Sequence, residues 1–211
     1  MGKLGDKKMI NSYSQVGQDN WVIEMLGGKK KGFFLDVGAY DGVKFSNSYM
    51  LELNYNWSGL LIEAHPSNYK KLKSIRSSDC INCAITDSIG FVKIDGHGDT
   101  SSKISETGHK IESTTFKEIF ERCNIPNLID YMSLDIEGYE STSLKEFPFQ
   151  THICSLITVE HNLYLGDDSN KKAIKETLLK NGYQIVKENV TSDGLPFEDW
   201  YKHLSLKNDI A

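Results

Sequence analysis

The run Phe33-Phe34-Leu35-Asp36-Val37 leads straight into Gly38-Ala39-Tyr40-Asp41-Gly42, and no other stretch of the 211 residues limits the fold as much. Its aromatic and aliphatic side chains read as a strand buried on both faces, the kind a parallel sheet contains. The two glycines let the backbone turn tightly and lie close to a ligand that a Cβ would obstruct. A helix is expected over residues 45–53, with the free N–H groups of its first turn facing the same ligand. The glycine spacing is not the G-x-G-x-x-G of dinucleotide enzymes. Asp36 would repel a pyrophosphate and attract an ammonium. That favours S-adenosylmethionine, which carries an amino group and a positive sulfonium, over a nicotinamide dinucleotide.

A second strand-like run, Trp57-Ser58-Gly59-Leu60-Leu61-Ile62, ends in Glu63, 21 residues beyond Gly42. A carboxylate there, about 20 residues after a glycine turn, can accept both hydroxyls of a ribose. The rest of the chain repeats the alternation. A first helix over 16–26 stops at Gly27-Gly28. Strands at 33–37, 60–64 and 81–85 are separated by helices at 45–53 and 67–75, and residues 91–94 add a strand. Residues 95–110, rich in Gly, Ser, Thr and His and without periodicity, read as a long loop of the kind that forms lids. Helix signals resume over 113–123, with Ser113 or Thr114 as cap. Strands at 129–135, 154–160 and 183–187 then alternate with helices at 139–146 and 170–180, and the tail from Val190 shows no clear pattern. This order predicts an α/β fold: a doubly wound, mostly parallel sheet with helices on both faces. One domain over residues 1–211 is the simplest organisation, with an N-terminal helical segment (1–31) and a candidate lid at 95–112.

Composition narrows the function. A net charge of −5 argues against a surface built for nucleic acid. Lys29-Lys30-Lys31 and Lys70-Lys71 read as a solvated turn and a helix face. No apolar run approaches the roughly 20 residues that span a bilayer. Residues 1–8 lack the apolar core of a signal peptide, and Asp6 stands where myristoylation wants Ser or Thr. A cytoplasmic protein without a membrane partner is therefore expected. Cys80 and Cys83 form a C-x-x-C without a second pair, and on a strand residues three apart point to opposite faces. Buried, reduced thiols are expected for these two and for Cys123 and Cys154.

Further chemistry gathers in the second half. Asp135 and Glu137 are two apart at a strand end, so they can share a face. Gly138 frees the chain to turn into a helix, whose N-terminus Glu140 would favour. The next strand ends in Glu160-His161-Asn162. If the two strands are neighbours, carboxylates, an imidazole and an amide meet at the carboxyl edge of the sheet, where open α/β sheets bind ligands. Burying so many polar groups is costly without a purpose.

The same residues resemble the FkbM-type S-adenosylmethionine-dependent methyltransferases, over nearly the whole chain. Ser14-Gln15-Val16-Gly17-Gln18-Asp19 is similar to that family's SQ-x-x-QD segment. The stretch from Phe34 to Gly42 resembles its cofactor loop, and Ser46-Asn47-Ser48-x-x-Leu51-Glu52 follows it. The stretch from Trp57 to Ala64 resembles its ribose-binding strand, with Ala64 where many members have Pro. The stretch from Asp130 to Glu140 is similar to its D-x-E-G-x-E signature, and Val159-Glu160-His161-Asn162 also fits. The resemblance implies a class I, Rossmann-like methyltransferase that uses S-adenosylmethionine. It implies cofactor contacts from Asp36, Val37, Gly38, Ala39, Asp41, Gly42, Asn47, Ser48, Glu63, Ala64, Ala84 and Asp135. Family members of known role methylate hydroxyl groups on sugars or natural products, so a small-molecule or glycan acceptor is expected.

An alcohol acceptor must lose its proton as the methyl arrives in line from the sulfonium. His161, whose ordinary pKa is nearest neutrality, is the first candidate base, with Asp135, Glu137 and Glu160 beside it. A second reading makes Asp135, Glu137 and Glu160 oxygen ligands for Mg²⁺. The rival functions are an NAD-dependent oxidoreductase, a nucleic-acid methyltransferase, and a non-catalytic binding protein on the same fold. The first lacks its glycines, the second sits poorly with the acidic balance, and the third would have no need of Asp36 and Glu63.

Overall fold

The computed structural model describes residues 11–96, 98 and 102–206. Residues 1–8, which carry the leader and myristoylation expectations, lie outside the described residues, as do positions 97 and 99–101 of the expected loop. Seven strands form the main sheet: β1 (Phe33–Val37), β2 (Ser58–Ile62), β3 (Asp79–Ile81), β8 (Leu128–Leu134), β9 (Ile153–Glu160), β10 (Tyr183–Ser192) and β11 (Leu195–His203). Their order is β3-β2-β1-β8-β9-β11-β10. The pairs from β3 through β9 are parallel, while β11 runs antiparallel to both β9 and β10. The sheet is therefore mostly parallel, as expected.

Alternation along the strands separates two cores. Leu35, Val37, Leu60 and Ile62 face α4 (Phe116–Arg122), α5 (Glu140–Leu144) and α6 (Ser169–Lys180). Phe34, Leu61, Tyr131 and Trp200 face α1 (Gln18–Met25), α2 (Tyr49–Tyr55) and α3 (Pro66–Ile75). Each large apolar side chain buried in these layers contributes about 1.5–3 kcal/mol of hydrophobic stabilisation.

The expected elements need five corrections. The helix over 45–53 begins only at Tyr49, because Ser46 Oγ accepts the Tyr49 N–H at 3.1 Å and Phe45 sits at φ 58°. Its first donor, the Tyr49 N–H, is thus satisfied locally rather than by a ligand. The strand over 81–85 breaks into β3 and β4 (Ala84–Ile85), since Asn82 Nδ2 donates to the Glu63 and Ala64 carbonyls and turns the chain away. The loop over 95–110 is partly strand. β5 (Gly90–Ile94), β6 (Ile104–Ser105) and β7 (His109–Thr114) join β4 in a second sheet of order β4-β7-β5-β6. Ile94, Ile104 and Ile111 give that sheet its own small core. Ser113 and Thr114 consequently belong to β7, and the cap of α4 is Thr115, whose Oγ1 accepts the Glu118 N–H at 3.2 Å. Lastly, the tail forms a hairpin through Asp193 and Gly194, both at positive φ.

All four cysteines are free; Cys83 and Cys154 are buried, Cys80 and Cys123 only partly. No helix among the described residues is long and apolar enough to cross a membrane.

Candidate active site

The C-terminal ends of β1, β2 and β8 open onto one cavity of about 370 Å³, within the range of small-molecule sites, roughly 300–1,000 Å³. It lies at the switch point of the sheet, with β2 on one side of β1 and β8 on the other. Asp36 stands two residues after Phe34, so it points to the α2–α3 face and is buried there. Its Oδ2 accepts a 2.5 Å hydrogen bond from Ser48 Oγ. Burial raises its pKa, against the Ser48 hydrogen bond and the Arg76 guanidinium. Glu63 follows β2. Its Oε2 accepts the Tyr40 N–H at 2.8 Å and its Oε1 the His65 N–H at 2.7 Å. Burial nevertheless pushes it up to about 7. Ala64, Cys83, Ala84 and Ile85, with Ile94 and Ile104 of the small sheet, complete an apolar wall next to it.

The opposite wall is acidic. Asp135 follows β8, Glu160 closes β9, and Glu198 of β11 stands opposite Glu160 in register. Asp135 and Glu160 hydrogen-bond to each other, which requires a shared proton. Burial and the Asp135 charge push Glu160 well above the usual carboxylate range. Burial also raises Asp135, but the hydrogen bond from Glu160 opposes this. Both acids of the pair are thus held above the ordinary carboxylate range. Burial pushes Glu198 up to about 8, although Trp200 Nε1 donates to it at 2.5 Å.

The structure brings Asp36, Val37, Gly38, Ala39, Asn47, Glu63, Ala64, Ala84, Asp135, Glu137 and Glu160 to the cavity wall. Four expected residues are elsewhere. Asp41 Oδ1 closes a turn by accepting the Val43 and Lys44 N–H groups at 3.0 and 2.8 Å. Gly42 faces α3, where a Cβ would lie 2.7 Å from Leu72 Cδ1. Ser48 sits behind Asp36 rather than on the wall. His161 is one residue past Glu160 and so points away from the cavity. Its Nε2 lies 3.3 Å from Asp199 Oδ1 and its Nδ1 accepts the Leu163 N–H at 3.3 Å. The imidazole braces β9 against β11 and is not placed to take a substrate proton. Gly38 lines the cavity, but its reason for being glycine is different from the one expected. Its φ is +91°, and a Cβ would stand 1.7 Å from the Asp135 carbonyl oxygen, not in the ligand's space.

Sequence reasoning missed Gln18, Asn68, Tyr164 and Glu198, which also line the cavity. Asp193-Gly194 was the available signal for Glu198, as a hairpin turn of that type makes the tail a strand pair. The tight acid cluster is Asp135, Glu140 and Glu160, with oxygens within 4.8 Å of one another, and not the expected trio with Glu137. Glu140 already accepts the Ile136 and Gly138 N–H groups and Asn170 Nδ2. Glu140 is thus committed to holding the turn after β8.

S-adenosylmethionine fits the residues present. Two amide oxygens on the wall, Asn47 Oδ1 and Asn68 Oδ1, are out of solvent without a hydrogen-bond partner among the described residues. The cofactor brings the ammonium, hydroxyl and amino donors that such oxygens need. Fold and site together define a class I S-adenosylmethionine-dependent methyltransferase. Residues 36–185 match the methyltransferase FkbM domain, and the chain belongs to the FkbM methyltransferase family. Solved structures of similar fold include a Klebsiella pneumoniae protein assigned as an O-methyltransferase, at TM-score 0.56 and 10% identity over 93% of this chain and 82% of that one. Magnesium protoporphyrin IX methyltransferase from Synechocystis PCC 6803, with bound S-adenosylmethionine, gives 0.52 and 10% over 89% and 77%. Fibrillarin from Aeropyrum pernix, in complex with S-adenosylmethionine, gives 0.51 and 11% over 82% and 67%. These likenesses are of fold. No curated protein matches the chain.

Proposed function

We propose that the protein methylates a hydroxyl group on a neutral small molecule, such as a sugar, with Asp135 as the base. The observation that carries this reading is the Asp135–Glu160 pair at neighbouring strand ends, facing the cavity. When bound, S-adenosylmethionine supplies an electrophilic methyl group. Asp36, Asn47, Glu63 and Asn68 would hold its polar groups, and the Ala84–Ile85 wall its adenine. In this reading the proton of the pair resides on Glu160, and Asp135, just past the end of β8 on the cavity wall, is the acceptor. An acceptor hydroxyl hydrogen-bonded to Asp135 would pass its proton there, leaving its oxygen nucleophilic towards that methyl group. Seven acidic side chains line the cavity against Lys44 and Lys103; even with Glu160 and Glu198 protonated and Glu63 partly so, the acids outnumber the lysines, so phosphorylated or carboxylated acceptors are disfavoured. The same charge disfavours nucleic acid.

The test incubates the full chain with methyl-labelled S-adenosylmethionine and neutral glycosides, sugar phosphates, amines or RNA. Label is expected on hydroxyls of neutral acceptors. Asp135→Asn should lower turnover by about 10²–10⁴-fold, the usual worth of a positioned base. Label found only on phosphorylated compounds, amines or RNA would overturn the reading, as would an undiminished Asp135→Asn enzyme.

A further inference from the structure

Arg76 ends α3, outside every motif that carries the family resemblance, and its guanidinium has no solvent exposure. Burying such a group is costly unless its N–H donors all find acceptors. They do. Nε donates to Glu52 Oε2 at 3.0 Å, and Nη1 to the Gly42 carbonyl at 3.2 Å and to Ser46 Oγ at 3.4 Å. Nη2 donates to Ser48 Oγ at 3.0 Å and also lies 3.0 Å from Glu52 Oε2. The rings of Phe34 and Tyr49 flank the cation, with centroids 5.5 and 5.4 Å away. Glu52 is itself fixed by the Ser77 N–H and the Ser77 and Ser78 hydroxyls. One side chain thus grips three points of the segment that follows the glycine turn. Because Nη2 fills a lone pair of Ser48 Oγ, the one hydroxyl proton of Ser48 is left for Asp36 Oδ2, 2.5 Å away.

We infer that Arg76 is a positioning residue for cofactor binding, which through Ser48 aims the Asp36 carboxylate at the cationic end of S-adenosylmethionine. Lysine could supply the charge but not the planar fork that reaches four acceptors at once. The charged groups facing Asp36 are Arg76 from α3 and Asp135 beyond β8, while Ser48 and Ser133 supply hydroxyls. Burial and Asp135 disfavour the ionised form that a cation needs, and Arg76 and Ser48 favour it. The inference rests on the reading of Asp36 as a cofactor residue.

The test measures S-adenosylmethionine binding to the full chain by calorimetry from pH 5 to 9. Asp36→Asn is the reference and should bind weakly throughout. Ser48→Ala should weaken binding about 10-fold near neutrality, the scale of one charge-assisted hydrogen bond. The pH at which its binding fails on acidification should also rise, since an Asp36 without its donor ionises at higher pH. Arg76→Gln should do the same, and Arg76→Lys should fall between it and the parent. Parent affinity and an unmoved acid limb in Ser48→Ala and Arg76→Gln, with Asp36→Asn weak, would overturn the inference. Should Arg76→Gln fail to fold, that outcome in Ser48→Ala alone overturns it. An Arg76→Lys protein equal to the parent would overturn the role of the fork. Parent-like binding by Asp36→Asn would instead sink the cofactor reading on which the inference stands.

Discussion

Glu198 shows how single side chains are tuned by place. It is buried under β9 and α1, with Trp200 Nε1 and Gln18 as its hydrogen-bond donors, and its pKa rises from 4.5 to about 8. The folded state therefore holds this proton more tightly than the unfolded chain. Stability from that proton is complete below about pH 4.5 and is lost as pH rises through about 8. Glu198→Gln keeps the shape and an acceptor for Trp200, but cannot ionise. It should match the parent at pH 5 and be the more stable protein at pH 9, by up to about 4 kcal/mol. Urea titrations at the two pH values measure this; an equal difference at both would refute the burial argument. At this scale the sequence was informative wherever a residue ended an apolar strand, so Asp36, Glu63, Asp135 and Glu160 were all legible. His161 was misjudged because one step along a strand reverses the face, and spacing alone does not say where a strand stops. Arg76 and Asn68 carry no local signal, since both come from α3, folded back over the sheet, Asn68 to the cavity wall and Arg76 to Ser48 behind it.

The elements divide in the same way. Strands buried on both faces and helices with one apolar face were readable, because hydrophobic periodicity reports how each packs. The small sheet was not. Its strands are short, its core is only a few residues, and its Gly, Ser, Thr and Lys composition imitates a loop. Thr115 had a Thr-x-x-Glu signature with Glu118, but the β7 register claims Ser113 and Thr114 and moves the helix start onto it. The small sheet also touches the site, for Ile94, Ser102, Lys103 and Ile104 line the cavity. Cofactor bound against that wall should restrain β6. Trypsin cleavage after Lys103 is therefore expected to slow when S-adenosylmethionine is added, followed by mass spectrometry of the fragments. Equal cleavage rates with and without cofactor would make the wall a passive surface rather than part of the binding device.

For the molecule as a whole, the cavity draws on residues from Gln15 to Glu198, so both sheets and the N-terminal segment converge on it. No isolated part of the chain contains the site, and a ligand held there binds the folded state far better than the unfolded one. The gain is set by mass action, about 2.7 kcal/mol at a free ligand concentration of 100 Kd. For a chain of this size each kcal/mol raises the melting temperature by about 2–4 °C, which predicts a rise of roughly 5–10 °C with S-adenosylmethionine. NAD, with a pyrophosphate opposite Asp36 and no sulfonium, should give no rise at equal concentration. The comparison separates the site from its rivals in one measurement. A rise with NAD and none with S-adenosylmethionine would return the glycine turn to the dinucleotide enzymes. No rise with either would mean that the carboxylates surrounding the cavity hold neither cofactor.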